Sequence, residues 1–228
     1  TGHAILVNSA ETRNALTRFA QTEQLRQPPI EVAWLASGIS IHLEAPNTPT
    51  FDQPYFIMLG TIEPRKNHLR MLEIWRDWEQ YENSPRPHLL IIGQRGWECE
   101  NVLDMLDRCA AIHPWVHEIG RCSDVELVHH LRHAQALLMP SFVEGFGMPL
   151  IEALTHGLPV IASDLDVFHE VAGEIPDYLD PSDGIGWRRA IAEYAMPHSP
   201  RRTEQLKRLE HFQAPTWDTH FSTAERFL

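Results

Sequence analysis

The chain has 228 residues, 43% of them hydrophobic and 22% charged, and a formal net charge of −12 at pH 7. That length suits one substantial core or one and a half domains, and the acidic balance argues against a general nucleic-acid binder, which needs a basic face to meet phosphates. No stretch reaches the ~18 consecutive apolar residues that a membrane-spanning helix requires, and Thr1-Gly2-His3 open without the basic and apolar regions of a signal peptide.

Short apolar strands alternate with amphipathic helical stretches along the chain. Ala4–Asn8 reads as a strand and Thr12–Gln24 as a helix with Ala15, Leu16 and Phe19 on one face. Ile30–Leu35 is a second strand. A Pro- and Thr-rich linker over Glu44–Pro54 marks a candidate domain boundary. Beyond it Tyr55–Leu59 is a continuous apolar strand, and Asn67 stands where it can cap a helix to Tyr81 with Leu69, Leu72, Trp75 and Trp78 at helical spacing. Strands follow at His88–Ile92 and Val116–Ile119, with helices at Asn101–Ala111 and Asp124–His133. The strand Ala136–Met139 runs into the loop Ser141–Gly147, and Pro149 suits the first turn of a helix ending near Gly157. Pro159–Ala162 and Asp177–Leu179 are strands, Ser182–Ala195 is a helix, and two more helical pieces finish the chain.

Wholly apolar strands alternating with helices predict an α/β fold, a Rossmann-like parallel sheet with helices on both faces. Ligands of such sheets bind beyond the carboxyl ends of the strands. The informative residues are therefore Gly60–Lys66, Gly93–Trp97, Gly120–Ser123, Ser141–Gly147 and Ser163-Asp164. Among these loops Glu144-Gly145-Phe146-Gly147 has two glycines, which let the backbone approach a ligand closely. The helix after it offers free N–H groups and a dipole to an anion. Glu152, eight residues after Glu144, is expected to face the same crevice and to bind hydroxyls as a strong acceptor. A nucleotide sugar, with phosphate and polyol in one molecule, fits that combination. An isolated pair of glutamates at this spacing is more often a helix-dipole partner beside a tight turn; the surrounding residues argue otherwise.

Those residues, Pro140-Ser141-x-x-Glu144-Gly-Phe-Gly-x-Pro-x-x-Glu152-Ala-x-x-x-Gly157-x-Pro159-Val160, resemble the signature of glycosyltransferase family 4, retaining enzymes of the two-domain GT-B architecture. The resemblance runs from about Tyr55 to Asp183 and takes in Gly60-Thr-Ile-Glu-Pro-Arg65-Lys66-Asn67, Gly93–Trp97, Gly120-Arg-Cys-Ser-Asp124, Glu170–Gly173 and Asp180-Pro181. Its wording is nearest to bacterial members that transfer mannose or similar sugars into surface polysaccharide. The resemblance implies that Glu144 and Gly145, Phe146 and Gly147 touch the donor sugar, with Met148 and Leu150 beside them. It implies that Glu152 binds the ribose, that Lys66 and Arg65 hold the diphosphate next to Gly60 and Thr61, and that Arg121 and Cys122 line the base pocket. Glu144, Lys66 and Arg65 are the implied catalytic members. Many family members carry arginine where this chain has Thr61, which leaves the diphosphate to Arg65 and Lys66; His169 stands where proline is frequent.

The same resemblance implies hexosyl transfer with retention, GDP-mannose being favoured over a UDP-hexose, to a glycan or lipid-linked acceptor held by an N-terminal domain. No cofactor or metal is expected. His129 and His133 are four apart on a helix but lack the His-Glu-x-x-His context. No nucleophile elbow or dinucleotide fingerprint occurs, and no Asp-x-Asp is expected to hold a metal on the donor diphosphate. The alternatives are a non-catalytic nucleotide-sugar-binding module and a nucleotide-sugar epimerase of similar fold. Cys99, Cys109 and Cys122 form no Cys-x-x-Cys pair, so reduced thiols and a cytoplasmic setting are expected, with peripheral membrane association of the whole enzyme. Residues 1–47 are expected to be the tail of an N-terminal domain plus linker, 48–215 the donor-binding domain and 216–228 a helix crossing back. Such a piece of a longer protein is expected to bind donor and to transfer little sugar. The crossing helix, with Trp217, Phe221, Ala224 and Phe227 at helical spacing, is expected to pack on Ala4–Phe19 or to drive association.

Overall fold

A computed structural model describes residues 4–81 and 86–227; the expectations placed on Thr1–His3 and Leu228 lie outside the described residues. Two sheets form. The small one pairs β1 (Ile5–Val7) in parallel with β2 (Ile30–Val32), α1 (Ala10–Thr22) crossing between them. The large one contains six parallel strands: β3 (Tyr55–Leu59), β4 (His88–Ile92), β5 (Val116–Ile119), β6 (Leu137–Met139), β7 (Val160–Ser163) and β8 (Asp177–Leu179). Their order is β5-β4-β3-β6-β7-β8. Counted from the first of the six, that is 3-2-1-4-5-6, the doubly wound order whose ligand crevice opens where the winding reverses. Here the reversal lies between β3 and β6.

The central strands β3 and β6 are apolar throughout because helices cover both faces, whereas the edge strands β5 and β8 carry His117, Glu118 and Asp177. Along β3 the side chains alternate between two cores. Tyr55 and Ile57 join Leu137, Phe146, Leu150 and Phe168 on one side, while Phe56 and Met58 join Leu72, Trp75, Trp78 and Trp187 on the other. The covering helices are α2 (His68–Arg76), α3 (Trp78–Tyr81), α4 (Glu100–Arg108), α5 (Asp124–His133), α6 (Met148–Thr155), α7 (Asp166–Ala172), α8 (Gly184–Ala195) and α9 (Pro200–Leu209); α10 (Trp217–Phe227) ends the described chain. Among the described residues no helix is long and apolar enough to cross a membrane.

Three expectations are corrected. The helix read as continuous from Asn67 to Tyr81 breaks at Asp77, whose carboxylate accepts both Nε (2.6 Å) and Nη2 (2.8 Å) of Arg76. Asn67 does not cap it. Its backbone is left-handed (φ 58°) and its side-chain amide donates to the Pro140 and Pro181 carbonyls at 3.1 and 3.0 Å, acceptors from neighbouring loops that take it away from the helix. In α1 the face with Ala15 and Phe19 is exposed and Ala20 is the buried residue. The final helix touches the segment after β2 through hydrogen bonds from Trp217 Nε1 to the Ser37 carbonyl (3.1 Å) and between His220 Nδ1 and the Trp34 carbonyl (3.0 Å), and leaves Trp217 and Phe221 exposed. The histidines of α5 serve the linker: His129 bonds the Pro46 carbonyl, and His129 and His130 both reach the Thr50 hydroxyl.

The ends of β3 and β4 meet with no room to spare. A Cβ at Gly93 would lie 1.9 Å from the Gly60 carbonyl oxygen, a backbone atom that cannot step aside. Gly93→Ala is therefore expected to cost about 3 kcal/mol or more, read as a lowered midpoint in urea unfolding with an unchanged m-value.

Candidate functional site at the winding reversal

The loops that leave β3 and β6 are neighbours because their strands are neighbours. The β3 loop turns at Gly60 (φ 120°), then folds Pro64–Lys66 into one 3-10 turn, with Pro64 supplying the preset φ that starts it. Paired backbone bonds from Ile62 to Gln94 and from Gly96 to Ile62 fix this loop against the β4 loop. A bond from the Phe142 N–H to the Arg65 carbonyl (2.8 Å) fixes it against the β6 loop.

This framework brings four charges together. Lys66 Nζ lies 2.6 Å from Glu144 Oε1, and Arg65 Nη1 lies 2.8 Å from Glu144 Oε2. Arg65 Nη2 also reaches Glu63 at 2.5 Å, and the Ser141 hydroxyl donates to Glu144 Oε1 at 2.9 Å. The Glu144 side chain is only 6% exposed, so these three donors substitute for the water it has lost. With two cations and two carboxylates the cluster is formally neutral. An arriving anion would meet Arg65 first, because its side chain is 41% exposed against 10% for Lys66.

Beyond Glu144 the chain passes Gly145 and the buried Phe146 to Gly147, which is left-handed (φ 94°) and N-caps α6. A Cβ at Gly147 would stand 2.7 Å from Phe168 Cε1. The anion site expected at this helix is smaller than the sequence suggests. Pro149 has no N–H and the Leu150 N–H is engaged by the Gly147 carbonyl at 3.0 Å, so Met148 supplies the amide that remains. Leu150 is fully buried in the core beneath the loop; its expected contact with donor is corrected, since its side chain faces the sheet. The cleft has a volume of about 550 Å³. Arg65, Lys66 and Glu144–Pro149 form one wall, and Asn8, Glu11, Thr12 and Ala15 form the other.

Glu152 does not line that cleft, which corrects the expectation of a shared one. It lies half-buried on α6, within reach of the charge of Asp124 at the start of α5. Burial, then the Asp124 charge, pushes its carboxyl up to about 7. The Gly120–Ser123 loop leads into that helix, its Ser123–Glu126 capping box fixing the start. Arg121 there is exposed and meets the Gln94 side-chain oxygen. Cys122 is half-buried, its thiol pushed up by burial and by Glu126 and Asp124. Thr61 is exposed at the end of β3 beside Gly96. Of the predicted residues, Arg65, Lys66, Glu144, Gly145, Phe146, Gly147 and Met148 thus line the cleft, and Gly60, Thr61, Arg121, Cys122, Leu150 and Glu152 do not.

Sequence reading passed over several residues that build the site. Glu63 and Ser141 lie inside quoted motifs, but nothing in their spacing says that they hold Arg65 and Glu144. His68 is buried against Lys66, and burial and that charge lower it to about 4, which keeps it neutral. Among the described residues no group of three or more His, Cys, Asp or Glu side chains is placed to hold a metal ion.

Comparison with known proteins gives a consistent result. The sequence profile of the family described as Glycosyl transferases group 1 matches residues 43–175. The serotype-specific mannosyltransferase WbdA of Escherichia coli is 37% identical over 145 residues, covering 62% of this chain and 17% of WbdA. The O-antigen chain mannosyltransferase B of Escherichia coli is 34% identical over 131 residues, covering 58% of this chain and 34% of that protein. The chain thus corresponds to a minor part of either relative. Among solved structures, WaaG, a glycosyltransferase involved in lipopolysaccharide biosynthesis, superposes with a TM-score of 0.70 at 19% identity over 97% of this chain and 60% of its own. Sucrose-phosphate synthase from Thermosynechococcus elongatus gives 0.70 at 18% identity over 100% and 58%. These likenesses establish the fold, one Rossmann-like half of the GT-B architecture.

Two expectations follow from the geometry. Lys66→Ala removes one of the donors to a buried carboxylate, leaving Arg65 and Ser141, and should cost about 2–3 kcal/mol in chemical unfolding; replacing Glu144 by Gln in the same chain should recover part of it. Glu152 holds a proton in the folded state that the unfolded chain has released between its usual range and about 7, so its contribution to stability falls as pH rises through that window. Glu152→Gln should melt above the parent at pH 8, and the two melting temperatures should converge toward pH 4.

Proposed function

The chain belongs to the group 1 glycosyl transferases, and from that premise we propose that it is the donor-binding part of a retaining mannosyltransferase that draws on GDP-mannose to build a cell-surface polysaccharide. The observation that carries the proposal is the convergence of Lys66 and Arg65 on Glu144 at the winding reversal. There two cations, a sugar-type acceptor and the Met148 amide stand together. The mannosyltransferase names of the relatives support mannose, and the bacterial surface-antigen wording of those names supports the acceptor class.

In this reading the diphosphate lies against Arg65, Lys66 and Met148, and as it arrives Arg65 exchanges a carboxylate partner for a phosphate. The nucleoside runs toward Arg121 and Cys122, with the ribose hydroxyls on Glu152. Glu144 accepts from the sugar hydroxyls and positions the anomeric carbon. When the glycosidic bond stretches toward an oxocarbenium-like state, negative charge grows on the leaving diphosphate and meets fixed cations that need not reorganise. No cofactor or metal is required in this reading. The acceptor comes in on the face that the diphosphate leaves. It is held by a second Rossmann-like half to which β1, α1 and β2 belong, residues 48–215 being the donor half and α10 the return crossing. Transfer therefore needs both halves, and this chain alone binds donor and turns over little. The whole enzyme works at the cytoplasmic face of the membrane.

A thermal-shift panel of GDP-mannose, UDP-glucose, UDP-N-acetylglucosamine and the free nucleotides tests this reading. GDP-mannose at about a hundred times its Kd should stabilise the chain by roughly 2.7 kcal/mol. Lys66→Ala and Glu152→Ala should each lose most of the shift measured from their own unliganded melting points. A flat panel, or variants that shift as the parent does, would sink the assignment.

A further inference from the structure

The loop that touches the donor in the proposed reading is intrinsically loose. Gly145 and Gly147 flank Phe146, and glycine gives up more backbone freedom on ordering than any other residue. Gly147 is gripped from below by the Phe168 ring, where a Cβ would already collide. Gly145 has no such neighbour in the donor half. A Cβ on it would find only Thr12 Oγ1, at 3.7 Å, and that atom belongs to α1.

What holds Gly145 is the N-terminus of α1. The Ser9 hydroxyl donates to the Gly145 carbonyl at 2.6 Å, and Thr12 Oγ1 lies 3.1 Å from the same oxygen. Ser9 is fully buried and is also the N-cap of α1, accepting the Thr12 N–H at 3.0 Å. One turn of helix thus caps itself through Ser9 and clamps the loop through the Ser9 and Thr12 hydroxyls. The helix is in turn held by Glu170 of α7, whose two oxygens accept the Ala10 N–H at 2.8 and 3.0 Å and one of which also accepts the Trp34 indole at 2.9 Å. Helix α7 carries both Glu170, which seats α1, and Phe168, which abuts Gly147. The Gly145–Gly147 segment sits between these two supports. A trans peptide is planar, so holding the Gly145 carbonyl also fixes the direction of the Phe146 N–H on its far side.

We propose that Ser9 and Thr12 are positioning residues that preorganise the Glu144–Gly147 loop for the donor sugar, with Glu170 as the seat of the helix that carries them. The inference rests on the donor-binding reading of that loop. It has a consequence by linkage: whatever draws α1 off Glu170 frees the loop, and a sugar bound to the loop tightens α1 in return. The clamp acts on the sugar end of the ligand and leaves the nucleotide end, toward Arg121 and Glu152, untouched.

Hydrogen exchange and calorimetry on the whole chain test this. Thr12→Val keeps the shape and the Ser9 cap while removing one hydroxyl, and Ser9→Ala removes the other. The expected result is exchange of the Phe146 and Gly147 amides about five-fold faster in each variant, the factor that one hydrogen bond of ordinary net strength supplies, with β6 unchanged. GDP-mannose should bind about five-fold more weakly to each variant while GDP binds as to the parent. Unaltered exchange at residues 145–147 overturns the clamp, and so does an equal loss of GDP and GDP-mannose affinity, which would mark general loosening. If the parent itself binds neither ligand, the donor reading fails, and the exchange arm alone decides the clamp.

Discussion

The bridge from Lys66 to Glu144 is the interaction on which the rest of this structure turns. It spans the reversal between β3 and β6, the place where a doubly wound sheet leaves its crevice open. Loops from adjacent parallel strands diverge unless something ties them. Here the tie is a buried ion pair completed by Arg65, Ser141 and the amide bridge of Asn67. A buried carboxylate short of donors is costly, so the loops come together to satisfy it. The same closure leaves Arg65 half outside, committed to the pair yet reachable by a phosphate.

That arrangement explains why so polar a cluster is tolerated beside two dense apolar cores. The sheet puts Phe56 and Ile57 on opposite faces with no exposure at all, so the strand ends are rigid and the charges they carry have little freedom to separate. Rigid strand ends also mean that tight contacts such as Gly93 against Gly60 are part of the site's construction, although no ligand group need come near them. Catalysis by fixed cations works only if those cations need not move when charge develops. In the proposed reading the framework supplies that stillness on the nucleotide side. On the sugar side, where two glycines weaken the loop, it borrows the stillness from α1.

Much of this was legible in the residues alone, and what was not has physical causes. Apolar strands such as Tyr55–Leu59 and His88–Ile92 are read correctly because burial on both faces makes the run continuously apolar and so marks its extent. Pro149 at the start of α6 and the Ser123 capping box follow from local rules that tertiary structure did not override. Asn67 was misread because an asparagine before a helix satisfies the capping rule, yet the carbonyls of Pro140 and Pro181, 73 and 114 residues away, offered better partners. The exposure of Ala15 and Phe19 was not legible, because helical spacing says which residues lie together and not which side meets the sheet. Leu150 was grouped with the donor contacts by its place in the motif, whereas its side chain answers to the core below.

The two glutamates make the same point about chemistry. Their spacing suggests a matched pair, but the helix that begins between them sends each into a different setting. Glu144 is surrounded by donors drawn from both loops; Glu152 is half-buried, and its partial burial and the Asp124 charge push it up to about 7. A carboxyl in the second setting is uncomfortable when ionised and empty, and hydroxyl donors from a ligand would relieve that discomfort directly. Glu144 already has three protein donors, so a ligand hydroxyl there would join a network that Arg65, Lys66 and Ser141 hold in place. A motif of two like residues thus divides into one that waits for a partner and one that keeps the partner's surroundings in place, and the division is made by α6 and α5 rather than by the eight-residue interval.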